Sequence, residues 1–297
     1  ARLMRYPDIY KDNVVFSYAG DIWISPIDGG YARRLTTSPG VEYFPKFSPD
    51  GKWIAFTGQY DGYFQVFVIP AEGGDAKQIT FYPYEALSDR GGFPNQVMDW
   101  TNDGKYIVFR SLQYFWNAGY GRYCKISPEG GWPEPFPFYE GSTMSFSPDG
   151  KKIAMNRNYR DFRTWKRYKG GRARNVWIYD FNKDSFEQVT DWKSEETNPV
   201  WHKDDIYFLS DKTGTFNFYK YNTASKEIKQ ITNDTNWDSQ WPGYDENSIV
   251  FQKEGKLFRM AFDDEKISEL NIKIAWDKAN QTEERRVGKE CRSRWSP

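Results

Sequence analysis

The stretch Phe47-Ser48-Pro49-Asp50-Gly51-Lys52 decides the fold, because its pattern recurs as Trp100-Thr101-Asn102-Asp103-Gly104-Lys105 and as Phe146-Ser147-Pro148-Asp149-Gly150-Lys151. In the Ser-Pro-Asp-Gly form, proline fixes φ at the first turn position, aspartate bonds back to the backbone, and glycine takes the left-handed position. Residues of alternating polarity flank these turns, as in Trp53–Thr57 and Tyr106–Phe109. Each copy therefore predicts a hairpin between two antiparallel strands.

Four segments end in a second marker of four residues. Its order is a charged residue, a polar residue, an aliphatic residue and threonine. The copies are Arg33-Arg34-Leu35-Thr36, Lys77-Gln78-Ile79-Thr80, Glu187-Gln188-Val189-Thr190 and Lys229-Gln230-Ile231-Thr232, and their spacings are 44, 110 and 42 residues. The long interval fits two units of about 55 residues, so a degenerate copy is expected near residue 135, at Pro133-Glu134-Pro135-Phe136.

Together the markers divide the chain into six units, the last of which runs from residue 239 to about residue 272. Four short antiparallel strands per unit, repeated six times, predict an all-β, six-bladed β-propeller. A two-layer sandwich is the alternative, but it requires no turn repeated at this period. The propeller is expected over residues 1–282, as a fragment of a larger protein.

The last fifteen residues, 283–297, are expected to be a non-native tail. They resemble the in-frame translation of a sequencing-library adapter, eight of them are charged, and they lack the alternation found upstream. The alternative is a native charged linker.

Composition excludes several classes of protein. The 297 residues carry 41 basic and 41 acidic side chains, one histidine and two cysteines. The balanced charge argues against a general nucleic-acid binder, and no Cys/His spacing resembles a zinc site. The sequence contains no run of about 18 apolar residues, so no membrane span is expected. We therefore expect a soluble protein that binds neither nucleic acid nor membrane and carries no metal or cofactor.

Few residues suggest catalysis. The single histidine, His202, precedes a turn, and Cys124 is expected to be a small buried residue on a strand. The carboxylate pairs Asp204-Asp205 and Asp263-Asp264 fall in expected blade turns, and the chain contains neither a G-x-S-x-G elbow nor a phosphate loop. No catalytic residue is therefore expected in this segment.

One stretch, residues 157–174, has eight basic residues and one acidic residue, and it is expected between the second and third strands of the fourth blade. Three interpretations remain open: stacking on single-stranded nucleic acid, Arg forks that hold a carboxylate, and a solvated loop whose Trp165 and Tyr168 pack onto the blade. The candidate substrate-binding residues here are Arg160, Arg163, Lys166, Arg167, Lys169, Arg172 and Arg174.

The same stretch carries a family resemblance. Trp165-Lys166-Arg167-Tyr168-Lys169-Gly170-Gly171, followed by Val176-Trp177-Ile178, resembles the N-terminal propeller of tricorn proteases. Leu3-Met4-Arg5-Tyr6-Pro7-Asp8-Ile9 and Asp21-Ile22-Trp23 resemble the first blade of that family, particularly its bacterial members. The Ser-Pro-Asp-Gly-Lys turns alone are typical of the broader TolB-type propellers.

The resemblance implies that the parent protein is a serine peptidase that degrades oligopeptides and assembles as a hexamer, with its catalytic residues in later domains. The propeller would then act as a noncatalytic peptide channel, gate and scaffold. In archaeal members of the family, a pair of arginines holds the carboxylate of the substrate. This sequence has one arginine, Arg90, at the corresponding place, so the resemblance makes Arg90 a candidate substrate-binding residue. The resemblance implies a cytoplasmic protein, with periplasmic export of a bacterial homologue as the alternative. A stand-alone TolB-like protein-binding propeller is the alternative function.

Overall fold

The computed structural model describes residues 3–82, 93–113, 121–158 and 166–275, and over these ranges the regular secondary structure consists of strands. The strands form six sheets that follow one another along the chain. Each sheet contains four consecutive antiparallel strands, and the first sheet has a fifth strand from the end of the described chain. The predicted six-bladed all-β propeller is therefore confirmed.

The strands are named in chain order, four to each blade, with the innermost strand first. Blades 1 to 3 contain β1 (Arg5–Tyr10), β2 (Asn13–Tyr18), β3 (Asp21–Pro26), β4 (Gly30–Arg34), β5 (Glu42–Phe47), β6 (Trp53–Gly58), β7 (Gln65–Pro70), β8 (Lys77–Gln78), β9 (Asn95–Trp100), β10 (Ile107–Ser111), β11 (Arg122–Ile126) and β12 (Glu134–Pro135). Blades 4 to 6 and the final strand are β13 (Met144–Phe146), β14 (Lys152–Asn156), β15 (Val176–Asp180), β16 (Ser185–Gln188), β17 (Glu196–His202), β18 (Asp205–Ser210), β19 (Asn217–Asn222), β20 (Ile228–Gln230), β21 (Gln240–Tyr244), β22 (Ser248–Lys253), β23 (Lys256–Ala261), β24 (Ile267–Glu269) and β25 (Ile272–Ile274).

The Ser-Pro-Asp-Gly turns lie between the first and second strands of their blades, as the sequence predicts. In blade 2, the Asp50 carboxylate accepts a hydrogen bond from the Lys52 N–H at 3.1 Å, and Gly51 has a φ of 72°. Gly104 and Gly150 adopt the same left-handed conformation, with φ of 69° and 68°. The turn therefore forms through the chemistry that its residues encode.

The threonine of the second marker fastens the outer strand of its blade to the third strand. In blade 4, the backbone N–H of Val176 donates to Thr190 Oγ1 at 2.9 Å. The same bond recurs in three other blades, at 2.8–2.9 Å, for the pairs Ile22–Thr36, Val66–Thr80 and Phe218–Thr232. The marker thus recurs because each of these buried N–H groups needs an acceptor where the short outer strand ends.

The apolar core is divided among the six contacts between neighbouring blades. One buried cluster, for example, joins Val66 and Val68 of blade 2 to Ile107 and Phe109 of blade 3. Five equivalent clusters lie between the other pairs, including the pair formed by blades 6 and 1. Each blade therefore buries both of its faces.

The ring closes between blades 6 and 1 without exchange of a strand into either four-stranded blade. The Tyr6 N–H donates to Gln252 Oε1 at 3.2 Å, and the Lys11 N–H donates to Asp245 Oδ2 at 3.1 Å. Beyond the sixth blade, β25 returns to blade 1 and pairs in parallel with β4 on its outer edge. We call the contact between blades 6 and 1 the seam. The sixth unit, expected to end at about residue 272, ends its own sheet at Glu269, and the next strand belongs to blade 1.

The close approach of the two blades at the seam predicts that adding one methyl group at Gly243 lowers the stability of the fold. At Gly243, a Cβ would lie 2.3 Å from the Pro7 carbonyl oxygen and 2.6 Å from Asp8 Oδ1. Gly243→Ala should therefore push β21 away from β1 and lower the free energy of unfolding by about 1–3 kcal/mol, measured by urea denaturation. Gly171→Ala is the matched control, because a Cβ at Gly171 meets no neighbour within 4 Å. Equal stability of the two variants would show that the blades do not approach this closely.

Candidate functional site

The inner strands of all six blades converge on one cavity along the propeller axis. Its volume is about 50 Å³, which is room for a few water molecules. Each blade contributes to the lining, which consists of Tyr6, Pro7, Phe44, Pro45, Lys46, Gln96, Val97, Met98, Thr143, Met144, Asn198, Pro199, Val200, Trp241, Pro242 and Tyr244. Residues from every blade meet here, and this cavity is the candidate functional site.

Four of the inner strands carry the same irregularity where they line the cavity. The residue before a proline adopts a left-handed conformation, with φ of 51° at Tyr6, 56° at Phe44, 52° at Asn198 and 51° at Trp241. In each case the pairing with the second strand shifts register at this point, as in a β-bulge. A non-glycine residue rarely adopts this φ, so surrounding packing must hold it. The bulge re-aims a side chain at the axis.

Three bulge residues, Tyr6, Phe44 and Trp241, form a contiguous group of rings that we call the aromatic half-ring. The ring centroids lie 4.3 Å apart for Tyr6 and Phe44, 5.0 Å for Tyr6 and Trp241, and 5.5 Å for Phe44 and Trp241. Phe93 packs edge-on against Phe44, with centroids 5.2 Å apart. At the level of these rings, the wall that blades 1, 2 and 6 form is therefore apolar.

A layer of charged groups lies two residues further along the same inner strands. The Lys46 ammonium contacts Asp8 Oδ1 at 3.1 Å, and Tyr244 OH donates to Asp99 Oδ2 at 2.8 Å. Burial raises the pKa of Asp8 to about 6 and also raises the pKa of Asp99, and the Lys46 ammonium opposes both shifts. These contacts connect blades 1, 2, 3 and 6 in a layer that follows the aromatic half-ring along the inner strands, and we describe this layer as lying below the rings.

Two buried glutamates hold neighbouring blades together nearer the start of the inner strands. Tyr60 OH donates to Glu42 Oε1 at 2.8 Å, and the Thr36 hydroxyl donates to the other oxygen. In blade 5, Ser194 and Thr190 donate to Glu196 at 2.5 and 3.3 Å. Burial raises the pKa of Glu42 to about 7 and that of Glu196 to about 8, although these hydrogen bonds act in the opposite direction.

The two residues that the sequence analysis considered for catalysis, His202 and Cys124, pack against or lie among other residues of the fold. The His202 ring stacks on Phe262 with centroids 3.8 Å apart, and burial lowers its pKa. Cys124 is fully buried on β11, and burial raises the pKa of its thiol to about 12. Within the described ranges, His, Cys, Asp and Glu side chains form no group that could hold a metal ion.

The basic stretch lies between β14 and β15, as predicted, and several of its cations already have partners. Lys166 Nζ contacts Asp238 Oδ1 at 2.8 Å, and Arg174 Nε contacts Glu195 Oε2 at 2.7 Å in a buried ion pair. The Arg167 guanidinium donates to the Gly214 carbonyl at 3.2–3.3 Å. The part of the stretch that the structure describes after residue 165 thus contacts blades 5 and 6.

The remaining candidates divide into exposed residues and residues that the structure does not describe. Lys169 and Arg172 are exposed and form no ion pair with any described residue. Arg90, Arg160 and Arg163 lie outside the described residues. The sequence prediction that these cations bind substrate is untested and remains a prediction.

Sequence reasoning missed the residues of the cavity itself. A signal was present in the sequence, because an X-Pro pair recurs near the start of the inner strand in four blades. The pairs are Tyr6-Pro7, Phe44-Pro45, Asn198-Pro199 and Trp241-Pro242. Proline inside a strand suggests an edge or a bulge, and its recurrence at the blade period pointed to the axis.

Comparison with known proteins identifies the family. A sequence model described as the tricorn protease N-terminal beta propeller domain matches residues 1–266. The chain belongs to this family. The tricorn protease homolog of Saccharolobus solfataricus is 27% identical over 282 residues, which cover 92% of this chain and 25% of the relative. The chain therefore spans about a quarter of the length of such curated relatives.

Solved structures agree with this fold. The crystal structure of the tricorn protease matches with a TM-score of 0.81 and 23% identity, over 93% of this chain and 27% of that chain. This chain is more distantly similar to the crystal structure of TolB from Acinetobacter baumannii. The TM-score is 0.54 and the identity 18%, over 76% of this chain and 53% of that one. The predicted resemblance to both groups is confirmed at the level of the fold. Over the described ranges, no helix is long and apolar enough to cross a membrane.

The buried glutamates predict how stability depends on pH. A carboxyl whose pKa is raised on folding binds its proton more tightly in the folded state, so stability falls as pH rises from the unfolded pKa to the folded pKa. For Glu196 this window runs from 4.5 to about 8. Glu196→Gln mimics the protonated acid and should flatten the fall in unfolding free energy across the window, by the order of a few kcal/mol.

The measurement is urea denaturation at several pH values across the same window. Glu187→Gln is the control, because Glu187 is an exposed carboxylate paired with Lys226 on the outer strand of blade 4. If Glu196→Gln shows the same pH profile as the parent and the control, Glu196 is ionised in the folded protein and the assigned protonation is wrong.

Proposed function

We propose that this propeller is the noncatalytic channel, gate and scaffold domain of a tricorn-like serine peptidase that degrades oligopeptides. The observation that supports this proposal is the axial cavity, because residues from all six blades line it. The supporting comparison is the family, whose curated relatives are named as tricorn proteases and homologs. On this proposal the catalytic residues belong to other parts of the parent protein, which works as an assembly of identical chains.

The arrangement of loops supports entry from one face. Because neighbouring strands run antiparallel, the start of each inner strand lies on the same face as the connection between the second and third strands. The basic stretch of blade 4 is such a connection, so it shares a face with the bulge residues that begin the cavity. A peptide at this face would meet cations before it reached the aromatic half-ring.

We propose, within the same function, that the basic stretch attracts the carboxylate end of a peptide. Lys169 and Arg172 are exposed on it, whereas Lys166 and Arg174 are engaged by Asp238 and Glu195. Exposed cations act through long-range attraction that salt screens over about 8 Å at physiological ionic strength. Arg90, Arg160 and Arg163 remain candidates for the same role. The proposed compartment is the cytoplasm, with the periplasm as the alternative.

Photo-crosslinking tests the channel directly. An oligopeptide that carries a benzophenone side chain is incubated with the 297-residue chain and irradiated, and the adducts are mapped by mass spectrometry. The proposal expects uncut peptide and adducts on cavity residues such as Met144 and Val200. A control peptide of the same composition that carries the benzophenone on a bulky cyclic scaffold should label the loops alone.

Two outcomes would contradict the proposal. Adducts confined to outer strands would favour a TolB-like surface for a protein partner, the second function that the fold likeness supports. Peptide cleavage that His202→Ala abolishes would show that the chain carries its own catalytic site.

The basic stretch yields a separate prediction. The double variant Lys169→Ala with Arg172→Ala should weaken binding of a peptide with a free C-terminal carboxylate by roughly threefold to tenfold at low salt, and the difference should shrink in high salt. Fluorescence anisotropy of a labelled peptide measures the effect. Lys183→Ala with Lys203→Ala is the control, since both residues are exposed in turns on the opposite face. Equal affinity for the free and amidated peptides in the parent chain would leave the stretch as a solvated loop.

A further inference from the structure

The aromatic half-ring narrows the cavity from one side. Tyr6, Phe44 and Trp241 come from blades 1, 2 and 6, whereas the opposite side presents Val97, Thr143 and Asn198 at the corresponding positions. With the rings in contact, the remaining space is about 50 Å³. This holds a few waters, so a peptide chain passes only if a ring moves.

The layer that follows the rings along the inner strands is held by polar contacts between blades. The Asp8–Lys46 ion pair and the Tyr244–Asp99 hydrogen bond connect the same blades there. Gly243 also brings β21 so close to β1 that a Cβ would collide with backbone. The contacts among the three rings are aromatic contacts, each of which changes an opening equilibrium by a factor of about 2–10.

Trp241 is the ring with the most room to move. Tyr6 and Phe44 are 8% and 5% exposed, whereas Trp241 is half-buried. It also lies at the seam, on the inner strand of blade 6. Its φ of 51° before Pro242 is a backbone conformation that residues other than glycine rarely adopt, so a movement of this residue out of that conformation would relieve backbone strain.

From these observations we infer that the aromatic half-ring is a steric gate that is shut in the unliganded propeller and opens when Trp241 swings away from Tyr6 and Phe44. The inference rests on the proposed peptide channel and adds to it which side chains control passage. Side-chain bulk at Trp241 then limits which chains pass, and an extended peptide enters only while the gate is open.

Thiol labelling inside the cavity tests the gate without any peptide. Met144→Cys places a thiol in the cavity wall on blade 4, in a background in which Cys124→Ser and Cys291→Ser remove the other thiols. The labelling rate is measured with a small reagent, methyl methanethiosulfonate, and with a large one, fluorescein maleimide. A second single-cysteine protein, Ser225→Cys, gives the rates at an exposed turn.

The gate predicts that the large reagent labels the cavity thiol much more slowly than the small one, relative to the exposed thiol. Trp241→Ala removes the ring contacts with Tyr6 and Phe44 and should raise the rate for the large reagent by about tenfold or more. Trp237→Ala is the matched control, because this tryptophan lies four residues earlier, is 54% exposed and does not line the cavity. It should leave both rates unchanged.

Phe44→Leu provides a second opening variant in case Trp241→Ala fails to fold, which thermal unfolding reports. An unchanged large-reagent rate in a folded opening variant overturns the gate, as does rapid labelling of the parent by both reagents. The labelling result is independent of peptide transit: a gate that opens as expected in a chain without peptide adducts in its cavity would refute the proposed function and leave the gate standing.

Discussion

A four-stranded blade has two apolar faces, and the propeller is stable only because each face is covered by a neighbouring blade. Six buried clusters meet this requirement, and the cluster between blades 6 and 1 is as necessary as the other five. Closing that last contact fixes the circumference of the ring. It therefore also fixes how far the inner strands stand from the axis, and so the width of the cavity.

The ring shape explains the irregular backbone at its centre. Inner strands that splay from a narrow axis present their side chains to one another, and a bulge turns one residue of a strand toward the axis. Tyr6, Phe44, Asn198 and Trp241 hold unfavourable left-handed conformations before proline. Aromatic neighbours on adjacent blades pack against the three rings, and the Asn198 N–H donates hydrogen bonds to Thr143 and Asn156 of blade 4. The energy that maintains these conformations comes from the packing of the whole ring. The site is thus a property of the assembled blades and of no single blade.

Much of this fold was predictable because its signals are local. The turn at Phe47–Lys52 encodes its geometry in adjacent residues, and Thr190 recurs because a backbone N–H fourteen residues earlier needs an acceptor. Even the degenerate marker at Glu134–Pro135 proved to be an outer strand. The parallel pairing of β25 with β4 was not predictable, since it joins segments more than two hundred residues apart.

The candidate site was harder to predict because its chemistry depends on burial. Glu196 and Arg174 look like ordinary charged residues in the sequence, yet one is a buried acid with a raised pKa and the other is paired with a buried glutamate. Only the neighbouring blade reveals this. The tryptophan of the aromatic half-ring is likewise one of thirteen in the chain, and its sequence neighbours distinguish it only through the proline that follows.

The central claim is that a closed six-bladed ring surrounds an axial path for peptides. Hydrogen exchange by mass spectrometry, with and without a saturating oligopeptide, tests both parts of that claim in one measurement. If the ring is closed and a peptide lies along its axis, β1 and β21 at the seam exchange as slowly as β9 and β13, and added protection from the peptide falls on inner strands around the ring. Fast exchange confined to the seam strands, or added protection confined to outer strands, would contradict it.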